Sequence, residues 1–248
     1  MARYDIRTPR LYTGAALAAG ANVPLEQPQA HYLLHVLRLQ PGDPVLLFNG
    51  RDGEWRGRLE KGGKKTVTVQ VEGLTRAQTA PAALHYWFAP LKHARLDYMV
   101  QKAVEMGASR LQPVITRHSQ ATRINLERMQ ANAVEAAEQC GILTLAEVAA
   151  PLDLPAALAQ RESSQLLIFC DEDAEVSDPV AALQQATAGQ SLALLIGPEG
   201  GFAEDERSLL LASPNVRRLA LGPRILRADT AAVAALALVQ SVLGDWRG

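Results

Sequence analysis

The stretch LLIGPEGGFAEDE, Leu194 to Glu206, sets three glycines and a proline directly behind an apolar run. Glycine after a buried strand marks a loop that something must approach closely, at the strand end where open α/β sheets bind ligands. A phosphate is the first candidate, and the residues argue against it. No Gly-Lys-Ser/Thr follows, as a phosphate-binding loop requires, and the spacing G-P-E-G-G is not the dinucleotide fingerprint G-x-G-x-x-G. Glu199 would repel a phosphate. An acidic, glycine-lined loop suits a cationic or neutral ligand; the plain alternative is a tight strand-to-helix turn.

A second stretch repeats the scheme. LALGPRILRADTAAVAAL, Leu219 to Leu236, reads as a strand, then Gly222-Pro223, a short loop, and a helix entered through Asp229-Thr230. Arg224 and Arg227 lie in that loop, just before an apolar helix, where a guanidinium needs an anionic partner or an exit to solvent. Two Gly-Pro loops on adjacent strand ends are placed to grip one ligand between their backbones.

Working outward, residues 84–248 alternate strand and helix, the pattern of a parallel sheet covered on both faces. LHYWFAP, RLQPVI, QLLIFC, SLALLI and VRRLAL read as strands. KHARLDYMVQKAVEMG reads as a helix stopped by Gly107, and NLERMQANAVEAAEQCG as one capped by Asn125 and stopped by Gly141. In DPVAALQQATAG, Asp178 is the N-cap and Pro179 the first helical residue. The last helix, from Asp229, is apolar almost all round, which predicts burial on several sides. The first 73 residues are instead β-rich: Asn49-Gly50 and Asp52-Gly53 signal a hairpin, and Val67, Val69 and Val71 alternate with Thr66, Thr68 and Gln70. One helix, around PQAHYLLHVLRLQPGD and stopped by Pro41-Gly42, interrupts what reads as a small barrel. TRAQTAPAA, from Thr75, has no periodicity and reads as a linker. The expected domains are therefore 1–73, a linker over 74–83, and 84–248.

With 248 residues, 48% hydrophobic and 21% charged, the chain has the composition of an ordinary folded protein. No apolar run reaches the roughly 18 residues that span a bilayer. MARYDIRTPR has no apolar segment behind its charges, so a cytoplasmic location is expected. Two cysteines make no disulfide framework, and His31 and His35 have no third ligand near them, so no metal is expected. The net charge of −1 hides an asymmetry. Residues 1–123 hold 17 Lys+Arg and 9 Asp+Glu, whereas residues 124–248 hold 8 and 17. A basic front half suits a polyanionic partner; solvated surface charge is the plain alternative.

Together these segments resemble the RsmE family of 16S rRNA uridine N3-methyltransferases, within the knotted SPOUT class. HYLLHVLRLQPGD and FNGRDGEW resemble its N-terminal PUA-like RNA-binding barrel. YMVQKAVEMGASRLQPVITRHSQ, EAAEQCG, LLIGPEGGF and LGPRILRADTA resemble its catalytic domain, in order and spacing. The resemblance implies a C-terminal trefoil knot, a homodimer, and 16S rRNA or the small ribosomal subunit as partner. It implies S-adenosylmethionine held by the backbones around Leu195, Ile196, Gly197, Gly200 and Gly201 and around Leu221, Gly222, Pro223, Ile225, Leu226 and Thr230. Arg227 would stabilise charge on the uracil, Asp229 would orient Arg227 or act through water as a base, and Glu199 would hold a ligand amino group or close its loop. Arg3, Arg7, Arg10, Arg38, Lys92 and Arg95 would track rRNA phosphates. A related enzyme acting on a ribose 2′-oxygen, a non-catalytic RNA-binding protein and a nucleotide-binding enzyme are the competing readings.

Three positions depart from the family pattern. Ala203 stands where a Ser or Thr helix cap is usual, so a capping box is expected to be lost. Asp229 is one methylene shorter than the usual glutamate. Ile142 replaces an arginine, removing a phosphate or substrate contact.

Overall fold

The computed structural model describes residues 7–62, 66–121, 123–175, 178–186 and 190–247. The chain packs into two units, Met1–Pro81 with Ala137–Leu145, and Ala82–Ala136 with Ala146–Gly248.

The first unit contains β1 (Arg10–Tyr12), β2 (Asn22–Pro24), α1 (Gln27–His31), β3 (Pro44–Phe48), β4 (Glu54–Gly62) and β5 (Thr66–Arg76). They form a five-stranded sheet in the order β1-β3-β4-β5-β2. β1 pairs with β3 in parallel and the other pairs are antiparallel. The β3–β4 hairpin turns where Asn49 folds back: its Oδ1 accepts the amides of Arg51 (3.1 Å) and Asp52 (2.8 Å). Alternation along β5 sends Val67, Val69 and Val71 into a core with Leu11, Leu33, Val45, Leu47 and Leu59. Strand β5 runs on through Arg76, past the point where its alternation ends. Helix α1 continues as a π-helical stretch, Tyr32–Val36, and then stops at Arg38, which adopts φ 60°. The expected stop at Pro41-Gly42 therefore falls three residues too late. The left-handed turn at Arg38 ends the helix before proline is reached.

The second unit contains β6 (Leu84–Phe88), α2 (His93–Glu105), β7 (Arg110–Ile115), α3 (Leu126–Cys140, whose last residues from Ala137 belong to the first unit), β8 (Glu147–Val148), β9 (Leu152–Asp153), α4 (Leu154–Gln160) and β10 (Leu166–Cys170). It continues with α5 (Pro179–Gln184), β11 (Leu192–Ile196), α6 (Glu204–Ala212), β12 (Val216–Leu219) and α7 (Ala228–Val242). All its strand pairs are parallel, in the order β12-β10-β11-β6-β7-β8 with β9 also on β7. Trp87, Leu167, Phe169, Ala193 and Leu195 form the centre of its core with Phe202 and Leu210. Gly107 and Gly141 take positive φ just past the ends of α2 and α3, as the helix stops require. Asn125 caps α3 by accepting the Arg128 amide at 3.0 Å, and Asp178 caps α5 through the Val180 amide at 2.9 Å. Helix α7 begins at Ala228 rather than Asp229. It buries Ala231, Ala232, Ala235, Leu236 and Val239, and leaves Val233, Ala234, Ala237, Leu238 and Val242 half-buried.

Three local findings revise the sequence reading. Arg10 does not face solvent, so it cannot track phosphates. Its Nε bonds Glu54 at 2.6 Å, its other nitrogens donate to the carbonyls of Ala137 and Ile142, and its guanidinium lies over the Phe48 ring. The carbonyl of Ile142 thus serves in the first unit, where the family's arginine side chain is missing. Finally, the capping box of α6 is half kept. Alanine offers no oxygen to the helix, but Glu206 Oε2 still accepts the Ala203 amide at 3.0 Å.

The buried cluster of Glu54 with Arg10 and Arg76 makes a stability prediction. Burial pushes the Glu54 carboxyl up, but hydrogen bonds from Arg76 and Arg10 outweigh it and hold the group below its ordinary value. Its pairing therefore stabilises the fold at neutral pH, and that contribution is lost as pH falls through the folded value. Glu54→Ala strands the buried Arg10 charge and is expected to cost about 3–5 kcal/mol in denaturant unfolding near neutrality. The gap to the parent protein should narrow on acidification. At the other position, Ala203→Ser restores the missing acceptor at the start of α6 and should add about 1 kcal/mol, read as a raised melting temperature.

Candidate cofactor-binding and catalytic site

Parallel register sets the carboxyl ends of three strands side by side. Cys170 of β10 pairs with Ile196 of β11 on one side and with Leu219 of β12 on the other. The loops leaving these ends wall a cavity of about 420 Å³. One wall is Ile196 to Gly201, a second is Leu219 to Leu226, and a third is Cys170 to Glu172 with Ala174. The Gly-Pro loops thus face a common space, at the end of the sheet where such folds bind ligands. Their strands are not neighbours, as the sequence suggested, because β10 is inserted between β11 and β12 and its own loop supplies the third wall.

The glycines have individual reasons. Gly201 has φ 70°, and a Cβ there would collide with the Glu172 carboxylate. A Cβ on Gly197 would come within 2.7 Å of the Phe202 ring, which packs edge-on against Phe169. Gly222 takes φ 93° with open space around it. In the first loop the close approach is therefore made by the chain's own Phe202 and Glu172; in the second, glycine serves the backbone turn.

A fully shielded carboxylate ties the three walls. Asp171 Oδ2 accepts from Arg218 of β12 at 2.8 and 3.0 Å, and Oδ1 lies 3.2 Å from Arg207 of α6. Arg207 also reaches Asp173 at 2.7 Å. The loop after β7 buttresses the first wall. His118 Nδ1 lies 3.0 Å from the Gly201 carbonyl, and the Arg117 amide donates to Glu206 at 2.8 Å.

Beside the cavity, Arg95 of α2 joins the two acids singled out in the sequence. Its Nε donates to Asp229 Oδ2 at 3.0 Å and its Nη1 to Glu199 Oε1, while Gln120 bonds the other Glu199 oxygen. The Arg95 hydrogen bond holds the Glu199 carboxyl below its ordinary value, and does the same for Asp229. Both are ionised at neutral pH. Arg227, at the N-cap of α7, is exposed and hydrogen-bonded to none of the described residues, although its charge acts on Glu199. Asp229 therefore holds Arg95, where the sequence suggested it would orient Arg227. Cys170 is no nucleophile, since burial pushes its thiol up to about 12.

Of the positions expected to hold a cofactor, Ile196, Gly197, Gly200, Gly201, Leu221, Gly222, Pro223, Ile225 and Leu226 line the cavity. Leu195 lies in the core, and Thr230 is exposed on α7 outside the lining. Ile225 is 92% exposed, which is far outside the range for a core isoleucine. Arg7, Arg38 and Lys92 are on the surface, and Arg3 lies outside the described residues. Sequence reasoning missed Asp171, Glu172, His118, Gln120, Arg207 and Arg218; an Asp-Glu-Asp run directly after an apolar strand was the available signal. Among the described residues, no helix is long and apolar enough to cross a membrane, and no His/Cys/Asp/Glu group is placed to hold a metal. The walls carry Asp171, Glu172 and Glu199 against one cationic side chain, Arg224, and their volume lies within the roughly 300–1,000 Å³ of small-ligand sites, which fits a cationic methyl donor better than a nucleotide phosphate.

Comparison with known proteins agrees with this chemistry. A family model described as an RNA methyltransferase domain matches residues 78–240, and one described as an RNA methyltransferase PUA domain matches residues 25–72. The ribosomal RNA small subunit methyltransferase E of Synechocystis sp. is 32% identical over 228 residues, covering 90% of this chain and 74% of that protein. The protein of the same name from Rickettsia conorii is 29% identical over 232 residues, covering 93% and 94%. A crystal structure of the Neisseria gonorrhoeae enzyme of that name, bound to S-adenosyl methionine, superposes with TM-score 0.83 at 27% identity, covering 97% of this chain and 100% of that one. The chain belongs to the ribosomal RNA small subunit methyltransferase E family, within the RNA methyltransferases.

Proposed function

We propose that this protein transfers a methyl group from S-adenosylmethionine to N3 of a uridine in 16S rRNA. The observation that carries the reading is the cavity between two Gly-Pro loops, at the ends of β11 and β12 on either side of β10, in a chain of this family. When bound, the donor supplies an electrophilic methyl on a sulfonium, so no metal is required. The protein's task is to place donor and acceptor in line and to accommodate the negative charge that deprotonated uracil carries.

The backbones of Ile196–Gly201 and Leu221–Leu226 would hold the donor, and the ionised Glu199 on the cavity wall would favour its cationic groups. Arg227 cannot be a general base, because a guanidinium stays protonated. Exposed and uncommitted at the start of α7, it is suited to donate to a uracil carbonyl oxygen as charge builds there. Asp229 and Glu199, both held ionised by Arg95, are weak bases and serve better in orienting groups, so the N3 proton would pass to solvent water, with S-adenosylhomocysteine leaving as the methyl–sulfur bond breaks. The surface residues Arg7, Arg38 and Lys92 would contact rRNA phosphates. The half-buried apolar side of α7, with Val233, Ala237 and Leu238, would pack against a second copy in a homodimer.

The test is nucleoside mass spectrometry of 16S rRNA incubated with protein and donor. We expect 3-methyluridine; a methylated ribose or no modification would overturn the reading. Arg227→Ala should lower kcat by about 100-fold or more with donor Kd nearly unchanged, and loss of donor binding would refute its assigned role. Gly201→Ala should weaken donor binding by about ten-fold or more, because the new Cβ displaces Glu172 or the loop.

A further inference from the structure

The residue given to phosphate contact in the sequence reading, Arg95, is occupied in another way. It lies in the first turn of α2, where a positive charge opposes the helix dipole and no acidic residue offsets it. It reaches away from its own helix to two segments. One is the loop after β11, through Glu199; the other is the first turn of α7, through Asp229. Its remaining nitrogen, Nη2, is shut off from solvent with no partner among the described residues. A guanidinium whose charge is already met by two carboxylates is a poor partner for an RNA phosphate.

Its neighbour Arg227 stands in the opposite condition. It is exposed and bonded to none of the described residues, yet its charge acts on Glu199. Two carboxylates beside two guanidinium groups can pair in more than one way. The fork geometry of Arg95 satisfies Glu199 and Asp229 together, and Gln120 fixes the other Glu199 oxygen.

We infer that Arg95 is a positioning residue for methyl transfer: by engaging Glu199 and Asp229 it fixes the cavity mouth and leaves Arg227 free to meet the substrate. Without Arg95, Arg227 falls back onto those carboxylates and is lost to the reaction. The inference rests on the proposed reading of the cavity as the methyl-donor site and of Arg227 as the group that meets the base.

The experiment compares the parent protein with Arg95→Gln and Arg95→Lys in steady-state methylation of 16S rRNA, with melting curves to verify folding. A positioning role lowers kcat by about ten-fold or more in Arg95→Gln, with the KM for RNA changed less than about three-fold. Arg95→Lys keeps the charge but not the fork, so it too should lose kcat. The salt dependence of RNA binding should stay the same in both. A raised KM at unchanged kcat, a shallower salt slope in Arg95→Gln, and full activity in Arg95→Lys would instead identify a phosphate contact and overturn the inference. Should Arg95→Gln fail to fold, Arg95→Lys decides on the same criteria. An inactive parent protein would count against the proposed function; an active parent with unaffected variants counts against Arg95 alone.

Discussion

The second unit is organised around a buried carboxylate. Asp171, at the end of β10, is sealed from solvent between Arg207 of α6 and Arg218 of β12. A buried ion unpaired in this position would be costly by several kcal/mol, so the three elements must keep their places for the charge to be tolerated. Those elements matter because of what adjoins them. Helix α6 follows the first Gly-Pro loop, β12 precedes the second, and Asp171 itself begins the third wall. One interaction thus sets the spacing of all three walls of the cavity.

On this frame the charges divide by function. Two acids that line or flank the cavity, Glu199 and Asp229, are held ionised by Arg95, while Asp173 pairs with Arg207. With Asp171, Glu172 and Glu199 against one arginine, Arg224, the lining favours a cation over a phosphate. Among the described arginines near the mouth, Arg224 and Arg227 are exposed and bonded to no described residue, and Arg227 is the one at the start of α7. The front half's positive balance looks different once Arg10 and Arg76 are seen bonded to Glu54 and to the carbonyls at the end of α3. Part of that charge belongs to the fold and is not available to RNA.

The elements legible in the sequence were those with local causes. Alternating valines, the caps Asn125 and Asp178, the stops Gly107 and Gly141, and the apolar runs of β6, β10 and β11 each act within a few residues. Helix α4 escaped notice although Asp153 caps it through the Ala156 amide at 2.8 Å, because the helix has only seven residues and little periodicity. The loop-lining glycines were found by their pattern. Two of their partners were not, because Glu172 and His118 meet them through tertiary contact. The same limit explains Arg10 and Arg95. A guanidinium's partner 44 or 134 residues away leaves no trace in spacing, so both looked like free surface charge.

The central claim is that the three-walled cavity binds S-adenosylmethionine and not a nucleotide. Calorimetric titration of the purified protein with S-adenosylmethionine, and in parallel with ATP, tests it most directly. The account expects saturable binding of the methyl donor and no heat from ATP; binding of ATP, or none of the donor, would contradict it.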